Sequence, residues 1–486
     1  MTTNTTMTGT PTAAAVLAAA PPIRRVPGAR ERIRAGNVAA GRRIAILDDD
    51  PTGSQTVHDV SIVTVFDTAE YAAGLTTPGS TCFILTNTRS LPEDAAVELT
   101  TRVATDLFAL GQSLGAPVQV VSRSDSTLRG HVIAEMRALD AARRRVTGSG
   151  FDGMLLIPAY FEAGRYTAGD IHWAVVAGKP IPAGDSEFAR DATFGYTSSN
   201  LRDFVAEKSG GAITADQVHS LTLEDIRLGG PDRVAEILGG VTGGAFVVVN
   251  ATDYADLDIV VIGVQQAQES GKTFAYRVGP SFPQVLAGLE PQEPLAAEQI
   301  WPAGSPGGHG LVVVGSHVGL TSRQVAKAQQ RGGMTECELH VPTLIDPDRR
   351  DGHVAEIGRQ VAAALATSDV LLFTSRDLIR GGDADDSLAI SRTVSTAVIE
   401  VVQTALAAHP SWVVAKGGIT SHDVAVRGLG IRRAEVIGQL FPGMVSVFRP
   451  IEASAEAVGI PYVVFAGNVG GDDTLADVVD LFAGRR

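Results

Sequence analysis

Short unbroken runs of Val, Ile and Leu, each stopping at a polar or glycine-rich turn, recur from Arg42 to the C-terminus and leave few architectures open. RRIAIL, SIVTVF, TCFIL, PVQVVS, GMLLI and AFVVV lack apolar–polar alternation. Each therefore predicts a strand covered on both faces, as strands of parallel sheets are. Helical patterns over 93–110, 130–145 and 256–270 fall between several of them. The first starts near Pro92 with Glu93 and Asp94 in its opening turn, where acids suit the helix dipole. The alternation lapses over 286–309, a stretch rich in Pro and Gly without a core stripe. It resumes with GLVVVG, DVLLFTS, SWVVAKGG and PYVVFAG, and closes on a helix, DDTLADVVDLFA. The expected fold class is α/β: two α/β domains with largely parallel sheets and an interdomain active-site cleft. Their bounds would be 41–285 and 310–486, with a linker over 286–309 and a disordered Thr/Ala/Pro-rich tail over 1–40.

Composition narrows the partners. The chain has 486 residues, 44% of them hydrophobic, which is enough for more than one sizeable core. A net charge of −14 and 5% aromatics argue against a nucleic-acid partner, which demands clustered cations and stacking rings. Cys82 and Cys337 are too few for a disulfide framework or a zinc cluster. The ten histidines form no HExxH and no close pair, so no protein-held metal is expected. No run approaches the ~20 apolar residues of a membrane helix. Arg24 and Arg25 follow the N-terminal apolar run instead of preceding it, the wrong order for a secretory leader. A cytoplasmic location is expected, with no membrane partner and a homo-oligomer left open.

Two look-alike motifs fail on context. Gly271-Lys272-Thr273 resembles the end of a P-loop, but Gln266 stands where the first glycine is required. Gly111-Gln112-Ser113-Leu114-Gly115 spells the hydrolase elbow, yet a helix precedes it and a strand follows, the reverse of what that elbow needs.

Three constellations remain, all at strand ends. Asp48-Asp49-Asp50-Pro51-Thr52-Gly53 places three mutually repelling carboxylates after RRIAIL, and Gly53 lets the backbone approach a ligand. A helix N-cap would explain one Asp but not three. Arg123-Ser124-Asp125-Ser126-Thr127-Leu128-Arg129-Gly130 supplies guanidinium forks for a carboxylate together with polar groups for sugar hydroxyls, and Arg89 sits on a neighbouring strand end. Gly315-Ser316-His317, Lys416-Gly417-Gly418-Ile419-Thr420 and Gly467-Asn468-Val469-Gly470-Gly471 are glycine turns after strands, suited to exposing backbone N–H groups to an anion. Any one could be an ordinary turn. Three in one domain, one of them with a Lys, point to a nucleotide.

With these residues in view, the chain from about Arg42 onward resembles the four-carbon acid sugar kinases. The resemblance rests on Asp-Asp-x-Thr-Gly at Asp49–Gly53 and Asp-Ser-Thr-Leu-Arg-Gly at Asp125–Gly130. Gly-Ser at 315–316 and Gly-Gly-x-Thr at 417–420 add to it. Arg123 stands where the family often has Lys, and SQTVHDV follows Gly53 instead of smaller residues; both changes bear on the substrate. The resemblance implies a sugar-binding N-terminal domain, a nucleotide-binding C-terminal domain and ATP-dependent phosphorylation of threonate, erythronate, a 3-oxo-tetronate or a related branched acid. It implies ATP contacts from Ser316, Gly417, Gly418, Thr420 and the Gly467–Gly470 turn, and sugar contacts from Asp49, Asp50, Arg89 and the Asp125 loop.

In the expected mechanism Arg89, with Arg123 or Arg129, clamps the substrate carboxylate. Asp125 first, or Asp50 second, accepts the hydroxyl proton, and Mg²⁺ arrives with ATP. Asp49, Thr52, Gly53, Ser126 and Thr127 complete the sugar side; Lys416, Ile419, Asn468 and Gly470 complete the nucleotide side. An NAD-dependent dehydrogenase would need a Gly-x-Gly-x-x-Gly turn, which Gly315-Ser316-His317-Val318-Gly319 lacks. A non-catalytic acid-sugar sensor would bind a tetronate without ATP turnover; Asp125 and Lys416 argue against it.

Overall fold

Burial on both faces is complete where the sequence reads as unbroken apolar runs. Strands Arg43–Asp48, Thr81–Leu85, Val118–Arg123, Gly153–Ile157, Asp369–Thr374 and Tyr462–Phe465 are buried at every position. The computed structural model describes residues 12–50, 53–301, 304, 307–376 and 384–485. They divide into two compact units.

The first unit comprises residues as far as Asp49, Thr77–Gly79 and Thr88–Glu290. Its main strands run, in spatial order, Arg43–Asp48, Val118–Arg123, Phe274–Val278, Gly153–Ile157, Ala245–Val249 and His219–Leu221. Every pairing among them is parallel. Helix Glu93–Ser113 covers the sheet through Ala96, Val103, Ala104 and Leu107, spaced as one face of a helix. The Gly-x-Ser-x-Gly segment is this helix's end: Ser113 is its last residue, and its hydroxyl donates to the Leu110 carbonyl at 2.8 Å. A second, antiparallel sheet joins Arg165–Ala168, Ile171–Val176 and Lys179–Pro182.

The expected disordered tail is corrected from residue 12 onward; residues 1–11 lie outside the described residues. Thr12 caps helix Ala13–Ala19, and helix Ala29–Ala39 buries Ala29, Arg30, Ile33 and Asn37. Asn37 Nδ2 donates to the Leu286 carbonyl at 2.8 Å. The helix escaped notice because Ile33 is the lone large apolar residue of a stripe that otherwise buries Ala, Arg and Asn.

The second unit comprises Asp50–Thr76, Ser80–Asn87 and Pro291 onward. Five parallel strands form its centre, in the order Met334–Leu339, Asp369–Thr374, Leu311–Val314, Val413–Lys416 and Tyr462–Phe465. Met444–Glu452, Arg433–Phe441 and Val60–Val63 continue the order antiparallel, and Thr81–Leu85 joins Val60–Val63 in parallel. Val60–Val63 and Thr81–Leu85 therefore belong with the second unit although they lie within the first 90 residues: backbone pairing, not nearness in sequence, decides it. The stretch read as a linker is also partly structural. Leu295 and Ile300 are buried in this unit's core, and Leu295 N–H donates to the Gln439 carbonyl at 2.8 Å. Among the described residues no helix is long and apolar enough to cross a membrane.

Candidate functional sites in each unit

Parallel pairing lines up the carboxyl ends of adjacent strands, and both candidate sites form there. In the first unit Asp48 is in register with Arg123, and Arg123 with Val278. The Asp49 backbone and the Ser124–Gly130 loop thus leave the sheet side by side, next to Arg277 near the end of its strand. Ser124 Oγ donates to Asp49 Oδ2, and Arg277 Nη2 stands 3.8 Å from that oxygen. Gly130, at φ +114°, permits the approach: a Cβ there would lie 2.6 Å from Arg277 Nη2 and 3.3 Å from Asp49 Oδ2. Arg89 Nη1 is 3.8 Å from Asp49 Oδ1 and 3.7 Å from Asp125 Oδ1, so one guanidinium serves both acidic motifs.

Asp125 accepts from Arg129 Nε at 2.7 Å and from Thr127 Oγ1. Burial pushes its carboxyl up, but the hydrogen bond from Arg129, the charges of Arg89 and Arg129, and the Thr127 hydroxyl together outweigh it and hold the group at about 2. The loop is held in a demanding shape, since Leu128 is buried at φ 69°, a left-handed conformation costing an L-residue about 1 kcal/mol or more. The small antiparallel sheet and the segment after it brace the loop. His172 Nε2 donates to the Ser126 carbonyl at 2.7 Å, and Tyr196 Oη to the Thr127 carbonyl at 2.7 Å. Burial lowers the His172 pKa to about 4, and in the neutral ring Nδ1 accepts from Thr167 Oγ1 at 3.0 Å.

The structure thus unites Asp49, Arg89, Asp125, Thr127 and Arg129. Arg123 is placed differently: it is buried against Asp48 at 2.8 Å, engaged inside the sheet instead of presented as a clamp. Burial pushes Asp48 up to about 7 against the pull of Arg123. Ser126 is buried and contributes its carbonyl to His172. Asp50 and Gly53 belong to the second unit, where Gly53 N–H donates to the Asp50 carbonyl at 3.1 Å; Thr52 lies outside the described residues. Two arginines missed from sequence complete the picture. Arg277 also donates to Ser122 Oγ at 2.7 Å and pairs with Glu135. Arg165 and Arg129 both stack on Phe188, at 5.5 and 5.4 Å from its centroid, and Arg165 Nε has no hydrogen-bond partner among the described residues.

In the second unit Val314 is in register with Lys416, and Lys416 with Phe465. The three glycine turns therefore converge on Ser316. A Cβ on Gly417 (φ +119°) would lie 2.9 Å from Ser316 Cβ, and one on Gly467 would lie 2.9 Å from Ser316 Oγ. Thr321 Oγ1 donates to the Gly467 carbonyl at 2.9 Å, and Gln324 Nε2 to the Gly471 carbonyl at 2.8 Å, which anchors the last turn. Ser316, Gly417, Gly418, Ile419, Thr420, Gly467 and Asn468 all line one cavity of about 540 Å³. Helix Ala384–Leu406 supplies much of its other wall, through Ile390, Val394 and Val398. A polar glycine-lined end and an apolar wall suit a nucleotide.

Gly470 and Lys416 do not line this cavity. Lys416 is wholly buried: Nζ donates to the Ala466 carbonyl at 2.6 Å and sits 3.7 Å above the Phe465 ring, and burial lowers its pKa to about 7. Its place is beneath the Gly467 turn. Sequence reasoning missed the cation that does reach the Ser316 turn. Arg376 Nη2 donates to the Ser316 carbonyl and to Ser322 Oγ, each at 2.7 Å, while Nε and Nη1 have no partner among the described residues. A lone Arg after DVLLFTS carried no pattern to mark it. Among the described residues no three His, Cys, Asp or Glu side chains group as metal ligands would.

Comparison with known proteins agrees with the two-part organisation. Residues 44–286 match the family described as a sugar-binding N-terminal domain, and residues 311–475 the one described as a nucleotide-binding C-terminal domain. A D-threonate kinase of Bordetella bronchiseptica is 27% identical over 372 residues, covering 76% of this chain and 79% of that protein. A Haemophilus influenzae crystal structure aligns with a TM-score of 0.63 at 17% identity, over 89% of this chain and 99% of the other. One from Salmonella typhimurium LT2 gives 0.66 at 15% identity, over 90% and 98%. At such identities the two structures speak to the fold alone.

Proposed function

Because this chain belongs to the four-carbon acid sugar kinase family, we propose that it transfers the γ-phosphoryl group of ATP to a hydroxyl of a four-carbon acid sugar. Threonate stands first among the substrates, since the D-threonate kinase relative spans most of the chain; erythronate, a 3-oxo-tetronate and a branched acid follow. The observation that carries the reading is the meeting of three separate glycine turns at Ser316, around one nucleotide-sized cavity.

Phosphoryl transfer asks a protein mainly for positioning and charge neutralisation. ATP supplies the phosphoryl group, and Mg²⁺ arriving with it offsets phosphate charge. Ser316, Gly417, Gly418, Thr420 and Gly467 hold the phosphates through backbone and hydroxyl donors, with Arg376 as the nearby cation. Arg89 and Arg129 bind the sugar carboxylate, while Asp49 and Thr127 orient hydroxyls. Asp125 or Asp50 accepts the departing proton. A carboxylate held at about 2 is a weak acceptor, so Asp125 suits orienting the hydroxyl better than taking its proton. Asp50 then gains weight as the acceptor.

The test is coupled ADP release across four- and five-carbon acid sugars. Turnover confined to one or a few tetronates is expected. Tetronate binding without ADP from any acceptor would replace the kinase with a sensor.

A further inference from the structure

The second-unit cavity carries one feature that its glycine turns do not explain. Asp423 is the only acid among the described residues lining it. It is the last residue of helix Gly418–Asp423, so five residue steps, roughly 7 Å of helix axis, separate it from Gly418. Ser395, from helix Ala384–Leu406, donates its hydroxyl to Asp423 Oδ2 and fixes the carboxylate against the cavity wall. No other hydrogen bond to this carboxylate forms among the described residues, so it retains acceptor capacity.

Charge sets the direction of a bound nucleotide. A triphosphate is repelled by a carboxylate and drawn to Arg376 and the glycine amides at Ser316. The nucleoside must then point toward Asp423, along the apolar wall of Ile390, Val394 and Val398. A carboxylate only accepts hydrogen bonds, and the nucleoside of ATP offers two kinds of donor: the exocyclic amine of adenine and the ribose hydroxyls. We propose that Asp423, oriented by Ser395, is a nucleotide-specificity residue that accepts a hydrogen bond from the nucleoside. The inference rests on reading the cavity as the ATP site.

Equilibrium binding tests it, by calorimetry of the full chain without acid sugar. ATP, ITP (carbonyl in place of the amine) and 2′- and 3′-deoxy-ATP are titrated into wild type and Asp423→Ala. Loss of a hydrogen bond to a charged group predicts roughly 10- to 100-fold weaker ATP binding in the variant. In wild type one analogue should fall short of ATP by a similar factor, and that shortfall should vanish in the variant; which analogue does so tells amine from ribose. Equal ATP affinity in both proteins, or analogue shortfalls unchanged by the substitution, overturns the proposal. Should Asp423→Ala not fold, Ser395→Ala carries the same comparison with roughly 3- to 10-fold expected. A wild-type protein that binds no ATP at all overturns instead the assignment of the cavity.

Discussion

Gly417→Ala probes the proposed nucleotide site at a turn with little room for a side chain. Gly417 sits at φ +119° and ψ 138°, a region open in practice to glycine alone, and a side chain there costs about 1–3 kcal/mol. The added Cβ would also stand 2.9 Å from Ser316 Cβ and 3.2 Å from Thr420 Oγ1, both inside ordinary van der Waals contact. Ser316 has little room to retreat. Its hydroxyl oxygen accepts from Val318 N–H and its proton faces Thr321 Oγ1, each at 3.3 Å, and Gly467 closes in on the far side. The free protein can relax the turn, but a bound nucleotide requires it restored, so most of the strain falls on binding. About 2 kcal/mol corresponds to ~30-fold in affinity. Calorimetry should show ATP binding weakened by about that factor, with acid-sugar affinity unchanged, because the other constellation lies in a separate unit. ATP affinity within twofold of wild type, at an unchanged melting temperature, would refute the argument that this turn cradles the phosphates.

Three further substitutions follow. Asp125→Asn should lower kcat by roughly 10²-fold or more whether the carboxylate orients or deprotonates the hydroxyl. The wild-type pH profile separates those roles: a group held at about 2 gives no acid limb between pH 4 and 7, whereas a limb inside that window assigns the proton to another acid. His172 is neutral and buried with its pKa lowered to about 4, while the unfolded ring protonates near 6.5; the unfolded chain binds the extra proton between those values, so stability drops as pH falls from 6.5 to 4. Urea unfolding should lose about 2 kcal/mol from this source between pH 7 and 5, and His172→Gln should flatten that slope. Lys416 has a lowered pKa, so its burial penalty is present below about 7 and fades as pH rises toward 10.5. Lys416→Met should therefore keep or raise the melting temperature at pH 7 yet weaken ATP binding, since the Ala466 carbonyl beneath the Gly467 turn loses its donor; a normal ATP affinity would deny Lys416 any positioning role.

Much of the architecture was legible because parallel strands must be apolar on both faces. RRIAIL, PVQVVS, GMLLI and AFVVV each proved to be such a strand, and the helix read over 93–110 runs Glu93–Ser113. Elements without that compulsion stayed hidden. The small sheet over 165–182 has mixed, half-exposed strands, and helix Ala29–Ala39 hides its stripe among arginines. Val60–Val63 was recognisable as a strand but not its partner, because antiparallel pairing with Arg433–Phe441 spans some 370 residues and leaves no local trace.

The same division runs through the sites. Residues whose role depends on backbone shape announce themselves, because Gly130, Gly417 and Gly467 are each required by an approach that a Cβ would block. Charged side chains do not, since reach and pairing decide where a long side chain acts. Arg123 and Lys416 stand in the right motifs and face inward, one held by Asp48 and the other by the Ala466 carbonyl. Arg277, Arg376 and Asp423 stand in no motif and face the constellations. A charge inside a sheet has to be matched before the fold is stable, so a cation on the strand beside a motif turn is readily consumed by structure. Charge also reaches the strand ends from other elements, as Arg89 does when it spans Asp49 and Asp125.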